Sequence, residues 1–201
     1  MNLWVVVPVK PFDQAKSRLA DVLPPAARAR LMRDLLAGVL AQVRASELPA
    51  SVLVISRDAS VRAYAAELGA YTLAETGDDL NAALEQARRW VMQRGGDALL
   101  ILPADLPLLT VEDILHLYDL GLAGAEVAAA ASHDGGTNAL WLRPPDGIDF
   151  AFGPDSFRRH IEQAAAAGLR WAAYRSETLD WDVDVPADLD FVAHYAPLSA
   201  H

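Results

Sequence analysis

The chain has 201 residues, which is long enough for one sizeable hydrophobic core and short for two ordinary domains. Its hydrophobic share of 53% argues against disorder, and its formal net charge of −10 without a concentrated basic patch argues against a nucleic-acid partner. There are no cysteines, which excludes disulfides and thiolate metal sites and fits a reducing cytoplasm.

The first apolar run, Leu3 to Val9, meets Pro8, Lys10 and Pro11. It is too short to span a bilayer and has no basic segment before it, so it reads as a buried strand and no membrane association is expected. Ala26 to Arg44 follows Pro24-Pro25 and carries Leu31, Leu35 and Val39 at helical spacing. Ser51 to Ser56 reads as a strand, Ala59 to Leu68 as a helix ended by Gly69, and Ala70 to Leu73 as a short strand. Asp79 to Arg94 is a long helix stopped by Gly95-Gly96, and Ala98 to Leu102 is another buried strand. Thr110 with Asp113 three residues on predicts a capped helix over Ile114, Leu117 and Tyr118. Val127 to Ala131 and Ala139 to Leu142 read as strands, Pro154 to Ala167 as a helix, and Pro186 to His194 as a last helix. Continuous apolar strands alternating with helices predict a single-domain, three-layer α/β sandwich with a mixed, mostly parallel sheet. Ligands of such sheets bind at the carboxyl ends of the strands.

The residues at those ends carry the candidate chemistry. Among 17 basic residues only Lys10 and Lys16 are lysines, and both fall in the loop after the first strand, with Arg18 beside them. A lysine supplies a compact, strongly hydrated charge where arginine supplies a planar fork. The loop has prolines and no glycine, so it is not a Walker A loop. It is either a solvated basic loop or a polyphosphate contact made by side chains. Asp105 follows a buried strand in Pro103-Ala104-Asp105-Leu106-Pro107, where prolines fix the backbone; it is a turn aspartate or a held carboxylate. If residues 180 to 185 are extended, Asp180, Asp182 and Asp184 share one face, which suits an exposed edge or a bound cation equally. Gly135-Gly136 before Thr137 is a hairpin turn or a close approach to a ligand. Gly153 to Ser156 opens a helix whose amides either are capped or bind an anion. His160 reads as a surface or packing histidine and receives no catalytic role, and the tryptophans read as core. No Ser-His-Asp arrangement, HExxH or GxGxxG occurs.

Taken in order, these segments resemble one family. Val7-Pro8-Val9-Lys10-Pro11 with Ala15-Lys16-Ser17-Arg18-Leu19 resembles the opening of the phosphoenolpyruvate / 2-phospho-L-lactate guanylyltransferases of coenzyme F-420 biosynthesis. The resemblance continues through Leu80-Asn81-Ala82-Ala83-Leu84, Pro103 to Pro107, Gly136-Thr137-Asn138-Ala139-Leu140, Phe152-Gly153-Pro154 with Ser156-Phe157, and Asp182-Val183-Asp184 with Pro186. Two places depart from the family pattern. Asp79 stands where a glycine usually precedes the Leu-Asn pair, and Gly135-Gly136-Thr137-Asn138 is shorter than the usual Gly-Thr-Gly-Thr-Asn.

The resemblance implies a GT-A-like nucleotidyltransferase fold, with GTP and a small phosphorylated acid as ligands and Mg²⁺ as cofactor. It implies that Asp105, Asp182 and Asp184 hold the metal and that Thr137, Gly153 and Ser156 grip the acid. Lys10, Lys16 and Arg18 would act on the GTP phosphates as catalytic and nucleotide-binding residues, with Asn81 on the nucleotide side. The expected reaction joins GTP to phosphoenolpyruvate, with 2-phospho-L-lactate or 3-phospho-D-glycerate as alternative acceptors. Another nucleotidyltransferase of this architecture, or a non-catalytic nucleotide-binding protein, would share part of the pattern. A cytoplasmic location is expected, and a homodimer is compatible with the sequence.

Overall fold

Alternate side chains of the central strands enter two different cores. In β1 (Leu3–Pro8), Leu3, Val5 and Val7 pack on one face while Trp4 and Val6 pack on the other. The same division holds in β4 (Ala98–Ile101), where Ala98 and Leu100 oppose Leu99 and Ile101. A strand covered on both faces has no use for polar alternation, which is why these runs read as continuous apolar segments.

The computed structural model describes residues 1–189. Among these, the helices are α1 (Pro25–Ala45), α2 (Ala59–Glu67), α3 (Leu80–Met92), α4 (Val111–Leu122) and α5 (Ser156–Ala166). The remaining strands are β2 (Ala50–Ser56), β3 (Tyr71–Ala74), β5 (Val127–Ala131), β6 (Thr137–Leu142) and β7 (Trp171–Tyr174). Buried residues of α1, α2 and α4 join the first core, and those of α3 and α5 join the second. The expected three layers are therefore present. The helix α4 lies so close to the sheet that a Cβ on Gly121 would stand 2.2 Å from the ring of Trp141.

One seven-stranded sheet has the order β3-β2-β1-β4-β6-β5-β7. Only β6 runs against its neighbours, β4 and β5; every other pairing is parallel. This reversal has a direct consequence for the site. The amino end of β6, at Thr137, lies on the same edge as the carboxyl ends of β1 and β4, because Ile101 pairs with Leu140.

Several boundaries differ from expectation. The strand β6 begins at Thr137 rather than Ala139, because Thr137 pairs with Ala131 past a bulge that skips Asn138. The helix α5 begins at Ser156 rather than Pro154, since Asp155 is left-handed at φ 54° and Gly153 lies at φ 122°. The strand β7 has no counterpart in the sequence reading; it is a short edge strand with only partial burial, so its apolar signal is weak. Residues 180–184 form no strand, and the last expected helix is described only over residues 186–189, with its remainder outside the described residues.

Candidate active site

The loop after β1 turns sharply at Lys16, which takes a left-handed backbone at φ 56° and precedes a single 3-10 turn, Ser17–Leu19. That conformation costs a residue with a Cβ roughly 1–2 kcal/mol. It places the Lys16 side chain, only 5% exposed, with Nζ 2.6 Å from Asp105 Oδ2 and 3.7 Å from Asp184 Oδ1. Arg18 reaches the other oxygen of Asp184 at 2.6 Å. The contrast between lysines and arginines thus has a physical basis at Lys16, where a compact ammonium sits between two carboxylates. Lys10 is exposed, on the wall of a cleft of about 390 Å³ that Lys16, Asp105 and Asp184 also line. Arg57, Glu75 and Asp79 also line it. Asp79, the departure from the family pattern, caps α3 by accepting from the Ala82 amide at 2.9 Å.

The segment carrying Asp182 and Asp184 is lashed to the sheet at several points. Asp113, the expected capping residue, does more than cap: it accepts from Thr110, Tyr174, Ser176 and Thr178. Burial alone would raise its pKa, but the bonds from Ser176, Thr178 and Thr110 outweigh this and hold it below the ordinary value. Beyond that anchor, Asn138 Nδ2 donates to Leu179 O at 2.8 Å and His133 N donates to Asp180 O at 2.9 Å. Trp181 stacks on His133 at 4.4 Å. Val183 N donates to the Asp105 carbonyl at 3.1 Å, which ties the residue between Asp182 and Asp184 to the loop after β4. Asp188 closes the segment by accepting from the amides of Asp184 and Val185.

Asp180 contributes its carbonyl to this lashing, and residues 180–184 form no regular strand. Asp182 is half-buried, and burial followed by the nearby Asp105 charge raises its pKa to about 6. Among the described residues no group of three His, Cys, Asp or Glu side chains is arranged as a ready metal site. The donor chemistry nevertheless suits a hard divalent cation: Asp182 and Asp105 repel one another, and added positive charge relieves that repulsion.

Thr137, Gly153 and Ser156 form a second group across the sheet edge from Lys16. Thr137 Oγ1 lies 2.9 Å from Ser156 Oγ, and both residues are buried. Thr137 Oγ1 is also 3.1 Å from Nδ1 of the fully buried His160, whose Nε2 accepts from the Ala151 amide at 3.0 Å. Desolvation, then the charge of Arg159, lowers the His160 pKa to about 4. The first helical amides of α5 are already engaged: Ser156 N donates to Gly153 O and Phe157 N to Gly135 O. Of the two readings open from sequence, engaged amides and an anion-binding helix end, these bonds favour the first, so an anion there would meet hydroxyls. The short turn is braced internally, since Asp134 accepts from Ser132 Oγ and the Gly136 amide; these bonds, in that order, depress its pKa.

Asn81 braces the loop of this second group. Its Oδ1 accepts from Phe152 N at 2.8 Å and its Nδ2 donates to Phe152 O at 3.2 Å, so its amide faces the Gly153 loop. Two further residues were given no functional role from sequence. His160 lies one helical turn after Ser156, a spacing that could have linked them. Arg159 lies 3.6 Å from the position a Cβ would take on Gly153, and its buried Nε has no hydrogen-bond partner among the described residues.

A family model described as guanylyl transferase CofC-like matches residues 3–195. The phosphoenolpyruvate guanylyltransferase of Sphaerobacter thermophilus is 42% identical over 200 residues, covering 100% of this chain and 97% of that protein. The enzyme of the same name from Rubrobacter xylanophilus is 44% identical, covering 94% and 92%. The 2-phospho-L-lactate guanylyltransferase of Methanothermobacter thermautotrophicus is 38% identical, covering 94% and 83%. Among solved structures, the 4-diphosphocytidyl-2C-methyl-D-erythritol synthase of Anaerococcus prevotii aligns with a TM-score of 0.70 at 7% identity, covering 98% and 96%. A CMP:2-keto-3-deoxy-manno-octonic acid synthetase bound to CTP aligns at 0.66 and 13% identity, each chain covered in full. The expected GT-A-like nucleotidyltransferase fold is present.

Proposed function

Because the chain belongs to the guanylyl transferase CofC-like family, we propose that it condenses GTP with phosphoenolpyruvate, giving enolpyruvoyl-2-diphospho-5′-guanosine and pyrophosphate. A phosphate oxygen of the acid attacks the α-phosphorus of GTP. A new P–O–P bridge forms, the bond to the β-phosphate oxygen breaks, and pyrophosphate leaves. The attacking oxygen is anionic near neutral pH, so no general base is required. The difficulty is to bring anions together, and catalysis then rests on positioning and charge.

The observation that carries the reading is the convergence of Lys16 with Asp105 and Asp184 in the lining of the cleft, from segments far apart in sequence. Lys10, Lys16 and Arg18 would meet the GTP phosphates. Thr137, Ser156, the Gly153 backbone and Arg159 would hold the acid. Asp105, Asp182 and Asp184 would hold Mg²⁺, which when bound would neutralise phosphate charge and polarise the α-phosphate. Asn81 is assigned a bridging place between nucleotide and acid rather than a base contact. Among the described residues no helix is long and apolar enough to cross a membrane. A cytoplasmic enzyme is in keeping with the absence of cysteine.

A second acceptor is favoured by one observation, the relative named 2-phospho-L-lactate guanylyltransferase at 38% identity. The test is pyrophosphate release from GTP and Mg²⁺ with phosphoenolpyruvate, 2-phospho-L-lactate and 3-phospho-D-glycerate in parallel. The highest kcat/KM is expected with phosphoenolpyruvate. Release with none of the three overturns the guanylyltransferase reading, and a preference for another acid reassigns the acceptor.

A further inference from the structure

The hydrogen bonds around His160 can be counted. A backbone amide only donates, so the Ala151 N–H at 3.0 Å requires Nε2 of His160 to be an unprotonated acceptor. The neutral ring then carries its hydrogen on Nδ1, and that hydrogen is donated to Thr137 Oγ1, 3.1 Å away. Thr137 and Ser156 have one hydroxyl hydrogen each, and the 2.9 Å contact between them uses one, whichever residue donates it. One hydroxyl hydrogen is left over. The opposite tautomer would reverse the count: Nδ1 would take the Thr137 hydrogen, Thr137 would take that of Ser156, and none would remain.

We propose that His160 is a positioning residue whose Nδ1–H tautomer, fixed by the Ala151 amide, keeps one hydrogen of the Thr137–Ser156 hydroxyl pair available to an anionic oxygen of the acid substrate. The inference rests on the assignment of Thr137 and Ser156 to the acid in the proposed reaction. It deepens that assignment, because it states that the pair acts as a donor and names what makes it one. The hydroxyls are buried, so water competes poorly for that hydrogen. The same histidine holds Ala151, two residues before Gly153, so the tautomer and the loop position are set together.

The test pairs a spectrum with kinetics on the full chain. In ¹⁵N-labelled wild type, long-range ¹H–¹⁵N correlation is expected to show His160 protonated on Nδ1 and bare on Nε2 at neutral pH. A ring protonated on Nε2, or one averaging between tautomers, overturns the proposal without any variant. For kinetics, His160→Phe keeps a ring but removes both bonds, and His160→Asn can still donate to Thr137. The KM for phosphoenolpyruvate is expected to rise about tenfold in His160→Phe while the KM for GTP stays within about twofold, with His160→Asn recovering most of the loss. An unchanged acid KM in folded His160→Phe, or an equal rise in both constants, overturns it. Wild type that turns over no acid overturns the functional reading instead, and the nitrogen spectrum still decides the hydrogen count.

Discussion

The ammonium of Lys16 lies 2.6 Å from Oδ2 of Asp105, joining the loop after β1 to the loop after β4 across 89 residues of chain. The pair is a charge-assisted hydrogen bond, and the lysine is almost wholly enclosed. The substitution Asp105→Asn keeps the shape and an oxygen for Lys16 but removes the negative charge. Turnover is expected to fall about a hundredfold or more, with an unchanged far-ultraviolet dichroism spectrum. Near-normal turnover in the folded variant removes Asp105 from the reaction.

Asn81 distinguishes two assignments of the same residue. Both atoms of its amide bond the Phe152 backbone. The substitution Asn81→Ala is expected to lower unfolding free energy by about 1–3 kcal/mol, measured in urea. It is also expected to raise the acid KM more than the GTP KM, because it frees the loop that carries Gly153. A rise confined to GTP makes Asn81 a nucleotide contact, as the family resemblance implied.

Arg159 stands beside Gly153 with a buried Nε that lacks a partner among the described residues. A cation there suits an anionic acid. We expect Arg159→Gln to raise the KM for the acid about tenfold, with a smaller effect on GTP. Salt should weaken acid binding less in the variant than in the wild type, and an identical salt dependence would count against the contact.

His160 also sets an acid limit on stability. Its folded pKa, about 4, lies below the ordinary histidine value of 6.5. The unfolded chain therefore binds the extra proton first as pH falls. This group contributes no penalty well above pH 6.5, destabilises the fold progressively between about 6.5 and 4, and levels off below that. The full contribution is about 3 kcal/mol at most. Unfolding titrations from pH 7.5 to 4.5 should show a shallower loss of stability in His160→Phe than in wild type. Parallel curves would mean that another group sets the acid limit.

The chain order of strands and helices was legible because it rests on local signals. Apolar runs such as Leu3 to Val9 and Ala98 to Leu102 announced buried strands, and Thr110 with Asp113 announced a capped helix. Position at the end of a buried strand likewise marked Lys16 and Asp105 before their contact was known. The departure at Asp79 was legible only as a departure, and its cap on Ala82 resolved it.

The sequence by itself determined the α/β layering and which strand ends carry charge, because side-chain periodicity is imposed by neighbours a few residues away. The tertiary structure alone decided what those ends meet. The reversal of β6 brings Thr137 to the working edge, the weak edge strand β7 leads into the segment that returns Asp182 and Asp184, and the Arg18–Asp184 pair closes across 166 residues. The partners of Asn81 and His160 were hidden for the same reason. Each bonds a backbone atom, and a backbone atom has no residue identity for a sequence pattern to reveal. Lys16 shows both halves: its rare charge type, shared only with Lys10, could be read from the chain, whereas its partner across 89 residues depended on the path of the sheet.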